Sequence, residues 1–235
     1  MAYSNSWTNS TPANPCVVTV APTAGDILLA WAITDSTTTG NLDSDPSGFS
    51  NLAPVVNSTN DGASFRASIK VANGTETSVS FSSTSTNPCI AGVIAFSGRD
   101  TTTPLDVAAV TIALSTAGTT ADLSITPITD GCDLCYILGN DGGSSNTTFT
   151  FTTQSGTTGA WTTQPDQNSG YYNVAAGSAV QTTAGAITAR CTTSQTGGRL
   201  GVLVALRPAV SAAAKSDPPT LFNPLLNRLL PLLVQ

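Results

Sequence analysis

Apolar and polar residues alternate in short runs along most of this chain, with Gly, Pro, Asn and Asp between the runs, so the expected element is the β-strand. In "ASFRASIKVA" the residues Phe65, Ala67, Ile69 and Val71 fall on one face and Arg66, Ser68 and Lys70 on the other, which predicts an antiparallel strand with one side in water. "TFTFTT" (148–153) and "ETSVSF" (76–81) alternate in the same way. Four other runs, "DILLAWAI" (26–33), "CIAGVIAF" (89–96), "CYILG" (135–139) and "LGVLVAL" (200–206), are apolar at nearly every position and too short for most helices. They predict central strands covered on both faces. The linkers "SDPSGF", "NDGA", "NGTE", "NDGGSSN" and "TGG" carry turn chemistry.

About a dozen such strands fit an all-β chain, an antiparallel β-sandwich or jelly roll, over residues 14–208, with 1–13 as an N-terminal arm. Two stretches echo two others: "VAPTAGDILLAWAITD" returns as "ITPITDGCDLCYILGND", and "CIAGVIAFSGRD" as "RLGVLVALRPA". Two similar halves, about 14–100 and 120–208, are therefore the alternative to a single sandwich. "AVSAAAKSDPPT" follows as a linker, which places a boundary at 209–220.

The segment 221–235, "LFNPLLNRLLPLLVQ", breaks the pattern. Leu221, Phe222, Leu225, Leu226, Leu229 and Leu230 recur at helical spacing, Asn223 and Pro224 suit a helix start, and Pro231 stops it before Leu232 and Leu233. Its 15 residues include Arg228 and two prolines, whereas a membrane span needs about 20 apolar residues. A short helical or extended tail either docks on its own sandwich or anchors the chain to another subunit. In the second case the four leucines 225, 226, 229 and 230 would supply on the order of 6–12 kcal/mol before ordering costs. The anchoring reading takes all eight of these Leu and Phe residues as partner-binding.

Composition narrows the chemistry. Only 9% of residues are charged, Ser and Thr make up 64 of 235, and the net charge is −6, so the surface is neutral and hydroxyl-rich and no basic patch is available for nucleic acid. The N-terminus shows no signal-peptide pattern, which leads to an expectation of synthesis in a reducing cytoplasm and of five cysteines acting as small hydrophobes. There is no histidine, which removes Ser-His-Asp and Cys-His catalysis and imidazole zinc sites. Cys132 and Cys135 form an isolated C-x-x-C whose members face opposite sides of a strand. Asn41, Asp43 and Asp45 alternate as in a calcium loop but lack its later glutamate. No catalytic residue, metal ligand or cofactor is therefore expected. Trp161, Tyr171 and Tyr172 are the candidates for stacking on a glycan. Long, sparsely charged strands give little edge protection, so a homo-oligomer, a trimer for preference, is expected.

The succession "PTAGDILLAW", "PSGF", "FRASIKVA", "GVIAFSGRDTTTPLD" and "GVLVALRPA" over residues 14–209 resembles a group of β-sandwich structural proteins of tailed bacteriophages and prophages. The resemblance implies a non-enzymatic virion protein that contacts major capsid or tail subunits, and it carries no active-site residues. A capsid decoration or cement role comes first. A tail-fibre or tail-tip module adhering to host-surface glycans is the alternative.

Overall fold

A computed structural model describes residues 3–35, 42, 44–52, 56–57, 62–84, 87–142, 147–164, 167–168 and 172–209. In chain order the strands are β1 (Tyr3–Ala13), β2 (Cys16–Thr19), β3 (Ile27–Asp35), β4 (Ser50–Asn51), β5 (Val56–Asn57), β6 (Ala63–Val71), β7 (Ser78–Phe81) and β8 (Cys89–Phe96). They continue with β9 (Val110–Ile125), β10 (Cys132–Asp141), β11 (Phe149–Ser155), β12 (Thr162–Thr163), β13 (Gln167–Asn168), β14 (Asn173–Gln181) and β15 (Ile187–Leu206). No helix occurs among the described residues, and so none there could cross a membrane. All pairings between the described strands are antiparallel, and the described residues form an all-β sandwich.

One sheet runs β1-β8-β3-β6 with β4 and β5 both paired to β6; another runs β11-β15-β10-β14 with β12 and β13 paired to β14 and β9 to β15. The four continuous apolar runs become β3, β8, β10 and the last third of β15, and each is buried on both faces. Their inward side chains, among them Leu29, Trp31, Ile33, Ile94, Ile137 and Val202, meet with Val174 of β14 in a core shared by the two sheets. On the outer face of the first sheet, Leu28, Ala30, Val93 and Ala95 pack under the β2–β7 ribbon with Cys16, Val18, Val79 and Phe81. On the outer face of the second, Leu134, Tyr136 and Leu203 lie under Phe149 and Phe151 of β11, Leu123 of β9 and Ala189 of β15. The result is four β layers with an apolar filling between each pair. Each large side chain so enclosed contributes roughly 1.5–3 kcal/mol.

The two halves of the chain repeat one another in strand order and register. β3 lies between β8 and β6 as β10 lies between β15 and β14, with Ile27 facing Phe96 and Val71 where Asp133 faces Leu206 and Val180. Counting from those pairs, the two-residue strands also coincide: Ser50 opposes Ile69 as Thr162 opposes Ser178, and Val56 opposes Phe65 as Gln167 opposes Val174. Gly25 and Gly131 both take positive φ, 88° and 76°, and their N–H groups donate to the carbonyls of Ala72 and Gln181 at 2.9 and 3.0 Å. The echoed sequence segments fall on β3 and β10 and on β8 and β15.

Three expectations need correction. Tyr3–Ala13 is no free arm: β1 pairs with β8, because its Trp7 and Tyr3 find apolar cover in two of the cores. The polar face of β6 is not solvated, since Arg66 is 7% exposed and Ser68 fully buried. Leu42 and Asp45 cover them: the Asp45 carboxylate meets the Arg66 guanidinium at 2.8 and 2.7 Å, and Arg66 also donates to the Leu42 carbonyl at 2.8 Å. Finally, "TGG" makes a bulge inside β15 rather than a turn between strands. Gly118 of β9 lies under the Arg199 guanidinium, which donates to the carbonyls of Thr116 and Thr120 and so satisfies the kinked backbone.

The halves are also tied by polar contacts across the shared core. The Tyr172 hydroxyl donates to the Pro88 carbonyl at 2.6 Å, the Gln167 amide to the Ala91 carbonyl at 2.7 Å, and Arg99 lies 3.2 Å from Asp133. Gly92 is a close approach within the shared core, because a Cβ there would sit 2.4 Å from the Trp31 ring. Gly92→Ala is accordingly expected to cost about 1–3 kcal/mol. Urea unfolding should show a lower midpoint at an unchanged slope, and an unchanged midpoint would contradict this packing.

Candidate functional site

The exposed end of the second outer layer carries Trp161, the one sequence-nominated aromatic among the described residues that lines an open groove. Strand β11 brings Phe151 inward over the bare backbone of Gly177, where any Cβ would come within 2.3 Å of the ring. The chain then turns at Gly156, whose φ is 83°, and returns to place Trp161 just before β12. Trp161 stacks on Phe151 with ring centres 6.0 Å apart and planes 25° from parallel, and Phe151 meets Tyr136 edge-on at 5.6 Å. An aromatic column therefore rises from the core to the surface. The Trp161 indole N–H donates to the Thr153 hydroxyl at 2.9 Å, and that hydroxyl lies 2.5 Å from the Thr158 hydroxyl. Thr152, Thr157, Gly159 and Trp161 help to line a groove of about 460 Å³ that contains no charged residue.

The other nominated residues do not join Trp161. Tyr172 is 3% exposed in the shared core, and its hydroxyl is engaged by the Pro88 carbonyl, so it is a packing residue and not a glycan contact. Its neighbour Tyr171 lies outside the described residues, as do Leu221, Phe222, Leu225, Leu226, Leu229, Leu230, Leu232 and Leu233 of the tail. Asn41 and Asp43 of the calcium-like loop are also outside them, while Asp45 is committed to Arg66 and Ser68. The groove's threonines and Phe151 were not singled out from the sequence. The signal was present in "FTFTTQSGTTGAW": a strand, a Gly-bearing turn and a returning aromatic bring both rings to one side.

The five cysteines are buried and free. Burial and the Asp106 charge push the Cys132 thiol up to about 12, and burial raises Cys135 and Cys191 further, so all three stay protonated and unreactive. Cys132 faces the outer core and Cys135 the shared one, which separates the C-x-x-C pair across the sheet. Among the described residues no group of three or more His, Cys, Asp or Glu is placed to hold a metal ion.

The first half has a cleft at the matching position, lined by Phe49, Lys70, Glu76 and Ser78 among others, with a volume of about 200 Å³. Lys70 lies 5.8 Å over the Phe49 ring and 2.8 Å from Glu76. Burial pushes the Glu76 carboxyl up, but the N–H of Asn73 and the Lys70 ammonium outweigh it and hold the group at about 2. The folded form thus binds its proton more weakly than the unfolded chain, whose carboxyl titrates near its ordinary 4.5. This part of the stability is complete above about pH 4.5 and is lost as the pH falls through about 2.

Comparison with known protein families, with curated proteins and with solved structures returned no match. The functional reading therefore rests on the chain itself.

Glu76→Gln should flatten the acid limb of the stability curve. Thermal melts between pH 5 and pH 2 are expected to show a steeper fall for the native chain than for the variant. Parallel curves would show that Glu76 is not held as described.

Proposed function

We propose that this chain is a non-enzymatic structural protein of a tailed-phage virion, most simply a capsid decoration or cement protein. In this reading it assembles with copies of itself as a trimer and is fixed to major capsid or tail subunits by residues 221–235. It is made in the host cytoplasm and resides in the particle.

The observation that supports this best is the edge of the second sheet. β9 is 16 residues long, and from Val110 to Ala121 it carries no charge and no proline. Natural edge strands of that length are usually blunted by lysine, proline or cover. β1, which occupies the matching edge of the first sheet, does show such blunting: Asn5 and Asn9 accept from the backbone N–H groups of Ser6 and Thr11 at 2.9 and 3.0 Å. The uncharged stretch from Val110 to Leu114, ahead of the kink that Arg199 caps, suits a strand end kept for pairing with another copy. The hydroxyl-rich surface and the resemblance to phage sandwich proteins agree with a building block whose work is contact.

Two experiments bear on this reading. Removing residues 221–235 should leave a folded, soluble body that no longer joins particles, scored by sedimentation of particles mixed with the chain; undiminished incorporation would refute the anchor. Thr111→Lys with Ala113→Lys, both on exposed positions of β9, should shift the native mass toward the monomer without changing the melting curve. A native mass unmoved by both lysines would remove β9 from the assembly.

A further inference from the structure

The matched register of the two halves makes their outer clefts directly comparable. Phe49 directly precedes Ser50 and Trp161 directly precedes Thr162, and since Ser50 opposes Ile69 as Thr162 opposes Ser178, Phe49 and Trp161 occupy the same place in the repeat. By the same count Lys70 of β6 corresponds to Ala179 of β14: Leu28 faces Lys70 where Leu134 faces Ala179. In the first half the lysine reaches over the Phe49 ring and pairs with Glu76, which fills the cleft with an ion pair. In the second half alanine stands in its place, the aromatic is a tryptophan, and the groove is about 460 Å³ against about 200 Å³. β11 adds a threonine-bearing wall, and it has no counterpart among the described residues of the first half.

From this contrast we propose that the groove bounded by Trp161, Thr152, Thr157 and Gly159 is a binding site for a neutral saccharide. Its size falls in the roughly 300–1,000 Å³ range of small-ligand sites. Trp161 is pre-set by its stack on Phe151 and by the bond from its N–H to Thr153, so little ordering cost falls on binding. An aromatic wall suits the C–H face of a pyranose, and the threonine hydroxyls and backbone groups around it suit the sugar's hydroxyls. A charged ligand meets no counter-charge in the lining. The site does not depend on the role in particle assembly: loss of saccharide binding leaves the native mass and particle incorporation as they were, and the reverse.

The test is an array of neutral and acidic oligosaccharides probed with the full chain, followed by titration of the strongest responder. Two variants separate binding from folding: Trp161→Ala removes the wall, and Thr157→Glu places a charge on an exposed rim residue that supports nothing in the core. The native chain should bind at least one neutral oligosaccharide saturably, and each variant should weaken that binding by about tenfold or more. Thr157→Glu should do so with an unchanged melting curve. Absence of any neutral ligand, preference for acidic ones, or binding that survives Thr157→Glu would overturn the assignment.

Discussion

A strand with apolar side chains on both faces cannot end a protein's surface, and this chain has four of them. β3, β8, β10 and the end of β15 leave neither sheet with a face that water would accept, so each sheet needs a cover on both sides. The two sheets serve as cover for one another through Trp31, Phe65, Ile137 and Val202. Their outer faces are then closed by the β2–β7 ribbon in one half and by β11 with the near ends of β9 and β15 in the other. The close approaches at Gly92 and Gly177, where only a missing side chain admits the Trp31 and Phe151 rings, follow from the same demand for cover.

This constraint explains what could be read in the sequence and what could not. The four uninterrupted apolar runs announced doubly covered strands, because burial on two faces erases the period-two signal. β6 misled for a related reason: Arg66 and Ser68 alternate as solvent-facing residues would, and only Asp45, about twenty positions away in sequence, turns them into buried, satisfied groups. Tyr172 looked like a surface aromatic in a polar stretch, yet the carbonyl that takes its hydroxyl belongs to Pro88 in the other half of the chain. Such long-range partners leave no local mark. The bulge at Gly197 was read as a turn, since glycine pairs signal both a chain reversal and a kinked strand.

The repeat also shows where the two halves differ. Their inner faces keep apolar residues at several equivalent positions, among them Leu29 and Cys135, Trp31 and Ile137, and Ile94 and Val204. Their outer clefts differ: a lysine and glutamate pair in the first, whereas the second is lined by a tryptophan and threonines without a charged residue. The edges differ as well: asparagine side chains occupy backbone donors along β1, whereas β9 is uncharged from Val110 to Ala121 and has the Arg199 guanidinium on its Thr116 and Thr120 carbonyls. A conserved interior with divergent rims is what a duplicated scaffold allows, because packing tolerates little change in the core and much at the surface.

The central claim is that the two halves share one core and stand or fall together. Hydrogen exchange along β3 and β10 at increasing denaturant tests it most directly, since these central strands lie in different halves. The account predicts that their slowest amides converge on one opening free energy, equal to that of global unfolding. Protection that persists in β10 after β3 has opened, or the reverse, would show two separately stable units and contradict the account.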